Sequence, residues 1–409
     1  MSLLFDKLVK GPVFGCQQCG QCLLSQTSYI CPMTCPKGLR NGPCGGTLDG
    51  ACEVLPDRPC VWVNIQQKGY DTEGLHSPLD SSLTGSSSFV NFLTGRDKTT
   101  RLIHDYTRPK HVLSAKPSIL ARRLQTDELA LTYEIASPKT TAGLDKVAIT
   151  AGMMLGHIDA INTTTNAGGV PSLHSLETAR AVAETGVPPI VQFCGRDQAP
   201  EEFESQVTSA LEDGFANVLV LTGDWNPDTE RELNPGHWFP MDSLQMVDII
   251  NRQDNYPKRP FIGVASNAYT TPMSVSLTRF QNKLAAGAHF TQTQVVTEIE
   301  IFSRWLNAVR DSEAGRACKI LVSVPLIGKQ KPWEILKHLP GVYISSQFGS
   351  SMEGSSELAK TGFQLARELI HDLSQLDIDG FHLMNFGVEV EAVVELVEEV
   401  RSDTKKPTA

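Results

Sequence analysis

The 409-residue sequence predicts an α/β fold, a closed (β/α)8 TIM barrel preceded by a small cysteine-rich domain. Two observations carry this expectation. Eight of the ten cysteines fall within the first 60 positions, where an even spread would put fewer than two, so the N-terminal stretch is a unit of its own. From residue 117 onward, eight apolar runs of five to eight residues alternate with stretches of helical spacing. The expected organisation is a head over 1–65, an irregular linker over 66–116, the barrel over 117–402 and a short tail over 403–409.

In the head the thiols run Cys16-x2-Cys19-x2-Cys22-x8-Cys31-x3-Cys35-x8-Cys44-x7-Cys52-x7-Cys60. Gaps of two residues let successive thiolates converge on one ion or cluster, and Pro32 and Pro36, each following a cysteine, stiffen the loops. Eight thiolates match two four-cysteine metal sites. The opening and the later Cys-Pro steps are nearer to bacterial ferredoxin spacing than to a zinc ribbon, although the fourth cysteine follows Cys22 after eight residues rather than three. Iron-sulfur clusters, zinc (alone or beside one cluster), and disulfides or free thiols stand open in that order. So small a head has little core of its own, so a metal would supply much of its folding energy, and a purely structural staple competes with an electron-transfer role.

Residues 66–115 are rich in Ser, Thr, Gly and Asp, with one short helix expected over 88–93. Strands are then expected over 129–136, 160–164, 189–194, 217–223, 259–266, 290–296, 319–326 and 379–386. Amphipathic helices lie between them, for example over 201–214, 277–287 and 357–376. In the last one Val390, Val393, Val394, Val397 and Val400 share a face, while Glu391, Glu395, Glu398 and Glu399 stay in solvent. Eight such units favour a closed barrel over a doubly wound open sheet.

A barrel's site forms where strands end. The polar residues there are Glu134, Thr163 to Thr165 with Asn166, Arg196 with Asp197, Asp224, Asn267, Gln292 with Gln294, and Asn385. Glu134, in an otherwise apolar strand, suits a general acid or a rim carboxylate paired with a base. Asp224 follows a glycine that lets a ligand approach the backbone, or else caps a helix. Cys194 and Cys318 read as buried small hydrophobes. His157, His174, His237, His289, His338, His371 and His382 show no metal-ligand spacing and read as structural or exposed. Neither GxGxxG nor GxxxxGK[ST] stands between a strand and a helix, so any nucleotide cofactor is expected on barrel loops.

Composition narrows the partners. A net charge of −10 offers no basic face for nucleic acid or anionic lipid, and no apolar run reaches the roughly 18 residues of a membrane span. The first fifteen residues lack the uninterrupted apolar stretch of a secretory signal, so a cytoplasmic protein is expected. A homo-oligomer is expected as well.

Several motifs together resemble the methylenetetrahydrofolate reductase family. In the barrel they are Thr-Tyr-Glu134, Leu-Thr-Gly-Asp224, Gly-Val-Ala265, and Lys283-Leu-Ala-Ala-Gly-Ala288 leading to Thr293-Gln294. In the head, Cys31-Pro-Met-Thr-Cys-Pro-Lys-Gly-Leu-Arg-Asn-Gly-Pro-Cys-Gly-Gly46, then Gly50-Ala-Cys-Glu-Val and Cys60-Val-Trp62, is similar to the cysteine-rich domain found with such reductases. The resemblance implies flavin-dependent reduction of 5,10-methylenetetrahydrofolate to 5-methyltetrahydrofolate, or the reverse oxidation. Glu134 would be the general acid that protonates the folate nitrogen as its ring opens to an iminium ion, and a hydride from the flavin would then reach the exocyclic carbon. Asp224 would stabilise the developing cation and Gln294 would bind the pterin. Thr163, Thr222, Gly223, Asp224, Ala265, Asn267 and Lys283 fall where the family touches its flavin. The loop Cys194-Gly195-Arg196-Asp197 and Asn267 depart from the bacterial pattern, which leaves FMN beside FAD as the cofactor. They also leave a ferredoxin or flavoprotein beside NAD(P)H as the electron donor. Competing readings are a pterin-binding barrel methyltransferase and a non-catalytic assembly subunit of an electron-transfer complex.

Overall fold

The computed structural model describes residues 6–70, 75–97, 118–225, 238–253 and 259–403. Eight parallel strands close into a barrel in sequence order: β1 (Ala130–Ile135), β2 (Ala160–Thr163), β3 (Pro189–Cys194), β4 (Asn217–Leu221), β5 (Phe261–Ser266), β6 (Phe290–Thr293), β7 (Lys319–Ile327) and β8 (Gly380–Phe386). Closure is set by β1 and β8, which pair Ala130 with Gly380 and Thr132 with His382. Every expected strand is present, and the open sheet is excluded. Two strands stop early. β4 ends at Leu221 because Gly223 turns to a φ of 98°, and β6 ends at Thr293, after which Gln294 N–H donates to the Ser266 carbonyl at 2.6 Å.

The surrounding helices are α1 (Leu144–Met153), α2 (Ser175–Ala183), α3 (Pro200–Glu212), α4 (Ser243–Arg252), α5 (Met273–Ala286), α6 (Ile299–Arg310), α7 (Leu358–Leu373) and α8 (Val390–Asp403), with two shorter helices, Gln330–Lys337 and Ser346–Glu353, before α7. In α8, Val393, Val397 and Val400 are buried as the valine spacing requires. The start of α4 is fixed by a capping box: Asp242 accepts from the Leu244 and Gln245 N–H groups, and Gln245 reaches back to Asp242.

Strand side chains alternate, and the two parities have different fates. Leu131, Tyr133, Ile161, Val191, Val218 and Val264 pack outward in the core shared with the helices. Ala130, Ala160, Ile190, Leu219, Phe261, Phe290 and Leu321 point inward as an apolar floor, closed beneath by Leu120 and Ala121 of the short helix Ile119–Arg123 and by Leu124 just after it. The stacked rings of Phe261 and Phe290, with centroids 4.9 Å apart, fill much of that floor.

The head has little regular structure: short helices at Gly11–Phe14 and Val61–Gln67 and isolated bridges joining Leu48 to Ala51 and Ala51 to Pro59. Residues 75–97, part of the segment expected to be a linker, lie against it. Asn41 exchanges hydrogen bonds with the His76 backbone, Gln21 does so with Asp80, and Asn91 donates to the Gly20 carbonyl. The expected helix at 88–93 is observed as Ser88–Leu93. The rest of the expected linker from 98 to 116, and His237, lie outside the described residues. No helix among the described residues is long and apolar enough to cross a membrane.

Candidate active site

Two residues above the apolar floor, the inward positions become polar and fully enclosed. Asn162 of β2 and Gln292 of β6 exchange hydrogen bonds at 2.5 and 3.0 Å, and Gln292 Nε2 also reaches Thr132 Oγ1 and His382 Nδ1, both at 3.3 Å. Gln292 thus belongs to the barrel interior, below the mouth where the sequence placed it. His382 Nδ1 lies 3.0 Å from the Thr132 hydroxyl and 3.3 Å from Gln292 Nε2, which leaves the ring's own Nε2 as the nitrogen facing the mouth. That nitrogen lies 3.5 Å from Glu134 Oε2, two residues further up β1. Glu134 therefore has His382 beneath it and is open to the mouth, with its side chain 23% exposed. The spacing of histidines gave no sign of this partnership, because it joins the first and last strands.

Across the mouth, Asp224 follows the turn after β4. A side chain at Gly223 would meet Cys194 Sγ at 2.5 Å, so the strand end can only turn there with glycine. Burial pushes the Asp224 carboxyl above its ordinary pKa, with Lys37 and Arg196 opposing that rise and Glu53 adding to it. Arg196 binds the Asp224 and Asn166 carbonyls at 2.9 and 3.0 Å while paired with Asp197 at 2.6 Å, so this loop is rigid. Gln294, at the end of β6, accepts from Val295 N–H and donates to the Pro340 carbonyl at 3.1 Å. Asn385 is spent on the Tyr133 hydroxyl and its own turn. Cys194 and Cys318 are buried thiols, each pushed up to about 12 mainly by burial.

The residues expected at a flavin divide. Thr163 ends β2, on the Glu134 side. Thr222, Gly223, Ala265, Asn267 and Lys283 cluster at the β4 and β5 ends, beneath the head. There Lys283 Nζ donates to the Ala265 carbonyl at 2.6 Å, and Asn267 holds the Gly45 and Gly341 carbonyls at 2.8 and 2.9 Å. Burial and the neighbouring Arg279 hold Lys283 well below the usual lysine pKa. Thr222 is bonded to Ser243 and to Arg279 Nη2, and the buried Nε of Arg279 has no partner among the described residues.

The head reaches this cluster directly. Lys37 Nζ donates to the Gly223 carbonyl at 2.8 Å and pairs with Glu53, whose other oxygen accepts from the Cys44 thiol at 2.9 Å. Asn41 Nδ2 bonds the capping Asp242 at 3.0 Å. No sequence period links residue 37 to 223, 186 positions away.

The cysteines fall into two groups. Cys16, Cys19, Cys22 and Cys31 line one pocket, while Cys35, Cys44, Cys52 and Cys60 act electrostatically on one another. Burial pushes Cys31 up to about 11 and Cys35 up to about 12. Among the described residues no three His, Cys, Asp or Glu side chains converge as they stand to hold an ion. Arg40, only 2% exposed and facing Cys19, donates through Nη1 to the Gln21 carbonyl, while its Nε and Nη2 meet no nitrogen or oxygen acceptor among the described residues.

The methylenetetrahydrofolate reductase family profile matches residues 119–401, the whole barrel. The chain belongs to this family. A second profile, methylene-tetrahydrofolate reductase C terminal, matches residues 2–81. Among solved structures, an uncharacterized protein from Clostridium thermocellum that binds two copies of 5-methyl-5,6,7,8-tetrahydrofolic acid is 17% identical over 70% of this chain and all of its own, with a TM-score of 0.55. Mycobacterium tuberculosis tryptophan synthase is more distant, at 12% identity over 71% of this chain and all of its own, with a TM-score of 0.41. The likeness to the Clostridium thermocellum protein is one of fold. The reductase-family barrel thus carries at its N-terminus the domain type named for the C terminus of such reductases.

Proposed function

We propose that this family member is a flavin-dependent methylenetetrahydrofolate reductase, working towards 5-methyltetrahydrofolate or in reverse, with a metal-binding head that passes electrons to the barrel. The observation that carries the reading is the placement of Glu134, Asp224 and Gln294 at the ends of β1, β4 and β6 on one face of the barrel, with Glu134 backed by His382. The folate bound by the Clostridium thermocellum protein supports a folate in the same mouth.

Glu134 protonates the folate nitrogen as the ring opens, and His382 beneath it steadies the carboxylate that this leaves. Asp224 faces the cationic iminium with a charge worth more there than in water, because its surroundings are largely closed. Gln294 exchanges the Pro340 carbonyl for the pterin edge, whose alternating donors and acceptors match an amide. A bound flavin, FAD or FMN, supplies the hydride. The open Nε of Arg279, beside Lys283 and Thr222, suits its phosphate, and Gly223 and Ala265 line the approach, while Thr163, buried with its hydroxyl toward the Ile190 carbonyl, has only its backbone at the end of β2 to offer. Asn267, already engaged with Gly45, has only its remaining surface to offer.

In the head, Cys16, Cys19, Cys22 and Cys31 form one thiolate set and Cys35, Cys44, Cys52 and Cys60 the other. The donors of Arg40, facing Cys19, match the net negative charge of a four-thiolate centre, and iron-sulfur stands ahead of zinc. Under anaerobic conditions, the purified protein should show flavin bands that bleach on adding 5-methyltetrahydrofolate, with iron and labile sulfide by analysis. A chain that binds neither FAD nor FMN overturns the reductase reading; stoichiometric zinc without cluster absorbance makes the head structural.

A further inference from the structure

We propose that Lys37, carried by the cysteine-rich head, is a positioning residue for Asp224, so that the head completes the barrel site. This rests on the reductase reading above. Burying an ammonium is costly unless it is paired and hydrogen-bonded. Lys37 is nonetheless only 2% exposed, and its partners are specific. One is Glu53 of the head; another is the Gly223 carbonyl, 2.8 Å away, in the peptide that joins Gly223 to Asp224. The ring of Phe239 lies 5.5 Å from the ammonium.

The backbone that presents this lysine is fixed from the barrel side. Phe239 N–H donates to the Lys37 carbonyl at 3.0 Å. Gly38, at a φ of 67°, leaves no room for a side chain, because a Cβ there would meet Trp238 at 2.3 Å. Asn41 is tied to Asp242, Arg279 donates to the Asn41 carbonyl at 3.3 Å, and Asn267 and Thr270 hold the Gly45 carbonyl. Lys37 therefore reaches a peptide it has no covalent reason to approach, through contacts that determine its place several times over.

Two consequences follow for the site. The Gly223–Asp224 peptide is held in one orientation, which aims the Asp224 side chain. The ammonium, paired with Glu53 and 2.8 Å from the carbonyl that precedes Asp224, also adds a second positive charge to that of Arg196 beside the Asp224 carboxyl. A staple that merely glued head to barrel would need neither the charge nor this address.

The test compares the wild-type holoprotein with Lys37→Met, Lys37→Gln and Lys37→Arg. The rate at which 5-methyltetrahydrofolate bleaches the flavin is measured per bound flavin, with dithionite bleaching as the control. Lys37→Gln, whose amide stops one bond short of the ammonium position, loses both the charge and the reach to the Gly223 carbonyl, and serves where Lys37→Met does not fold. The expected result is a bleaching rate about tenfold or more slower for the neutral variants, dithionite reduction unchanged, and recovery of most of the rate in Lys37→Arg. A staple would lower thermal stability and flavin content but not the rate per flavin. Wild-type rates in Lys37→Gln, or an arginine variant as slow as glutamine, overturn the role of Lys37. A wild-type flavin that bleaches with dithionite but not with 5-methyltetrahydrofolate overturns the reductase reading itself, and this role with it.

Discussion

The barrel closes through strand ladders and a core that runs from Leu131 to Val400 and takes in little from outside it, Leu75 and the edge of Leu48, whereas the head closes around two small clusters that borrow from the barrel. One cluster gathers Leu39, Cys60, Trp62, Val63 and Ile65 with Val275 of α5; the other gathers Cys19, Leu24, Cys31 and Met33 with Trp238 against them. Two of the head's buried polar groups, Lys37 and Asn41, bind barrel residues 186 and 201 positions away, while Arg40 binds the Gln21 carbonyl within the head. A chain built this way is held by its neighbour and by whatever its thiols bind, while the barrel is held largely by itself.

The sharpest separation of the two regions comes from Glu134→Gln. Flavin binding and the head should be untouched, while folate turnover falls by about 10²–10⁴, the usual worth of a general acid. Retained turnover would remove Glu134 from its role. Next in size, Phe290→Ala empties the barrel floor and should cost about 3–5 kcal/mol in global stability, read by denaturant unfolding. Trp62→Ala, which also removes the bond from its indole to the Leu39 carbonyl, should cost about 3 kcal/mol. That loss should fall on the head alone, with faster amide exchange over 31–67 and unchanged exchange in β1 to β8; a loss spread evenly over both regions would break the comparison. The smallest effect is expected from Asn41→Ala. It unpairs the seam at Asp242 and the His76 backbone, at about 1–2 kcal/mol, visible as a lower unfolding midpoint.

The barrel was legible in the sequence because its periodicity is local. Eight apolar runs buried on both faces need no knowledge of their partners to be recognised, and their ends point to Glu134, Asp224 and Gln294. Residues 75–97 were misleading for the opposite reason. Their Ser and Gly content reads as a loop, yet Asn91 and the His76 backbone make buried hydrogen bonds that composition does not encode. His382 looked like one of several scattered histidines, since its meeting with Glu134 is a product of barrel closure. Lys37 stood inside a quoted motif, but nothing in a linear pattern says that the side chain after Cys35-Pro36 crosses to another domain. Where function depends on two distant segments meeting, single-sequence spacing carries no trace of it.

The short helix Ile119–Arg123 under the barrel has one further consequence, for traffic. With Leu120, Ala121 and Leu124 sealing the lower end, nothing can be exchanged through the floor. On the mouth side, the described head residues from Lys37 to Gly50 lie over the ends of β4 and β5. Among the described residues, access past the head is then left to the other strand ends, that of β1 with Glu134 among them.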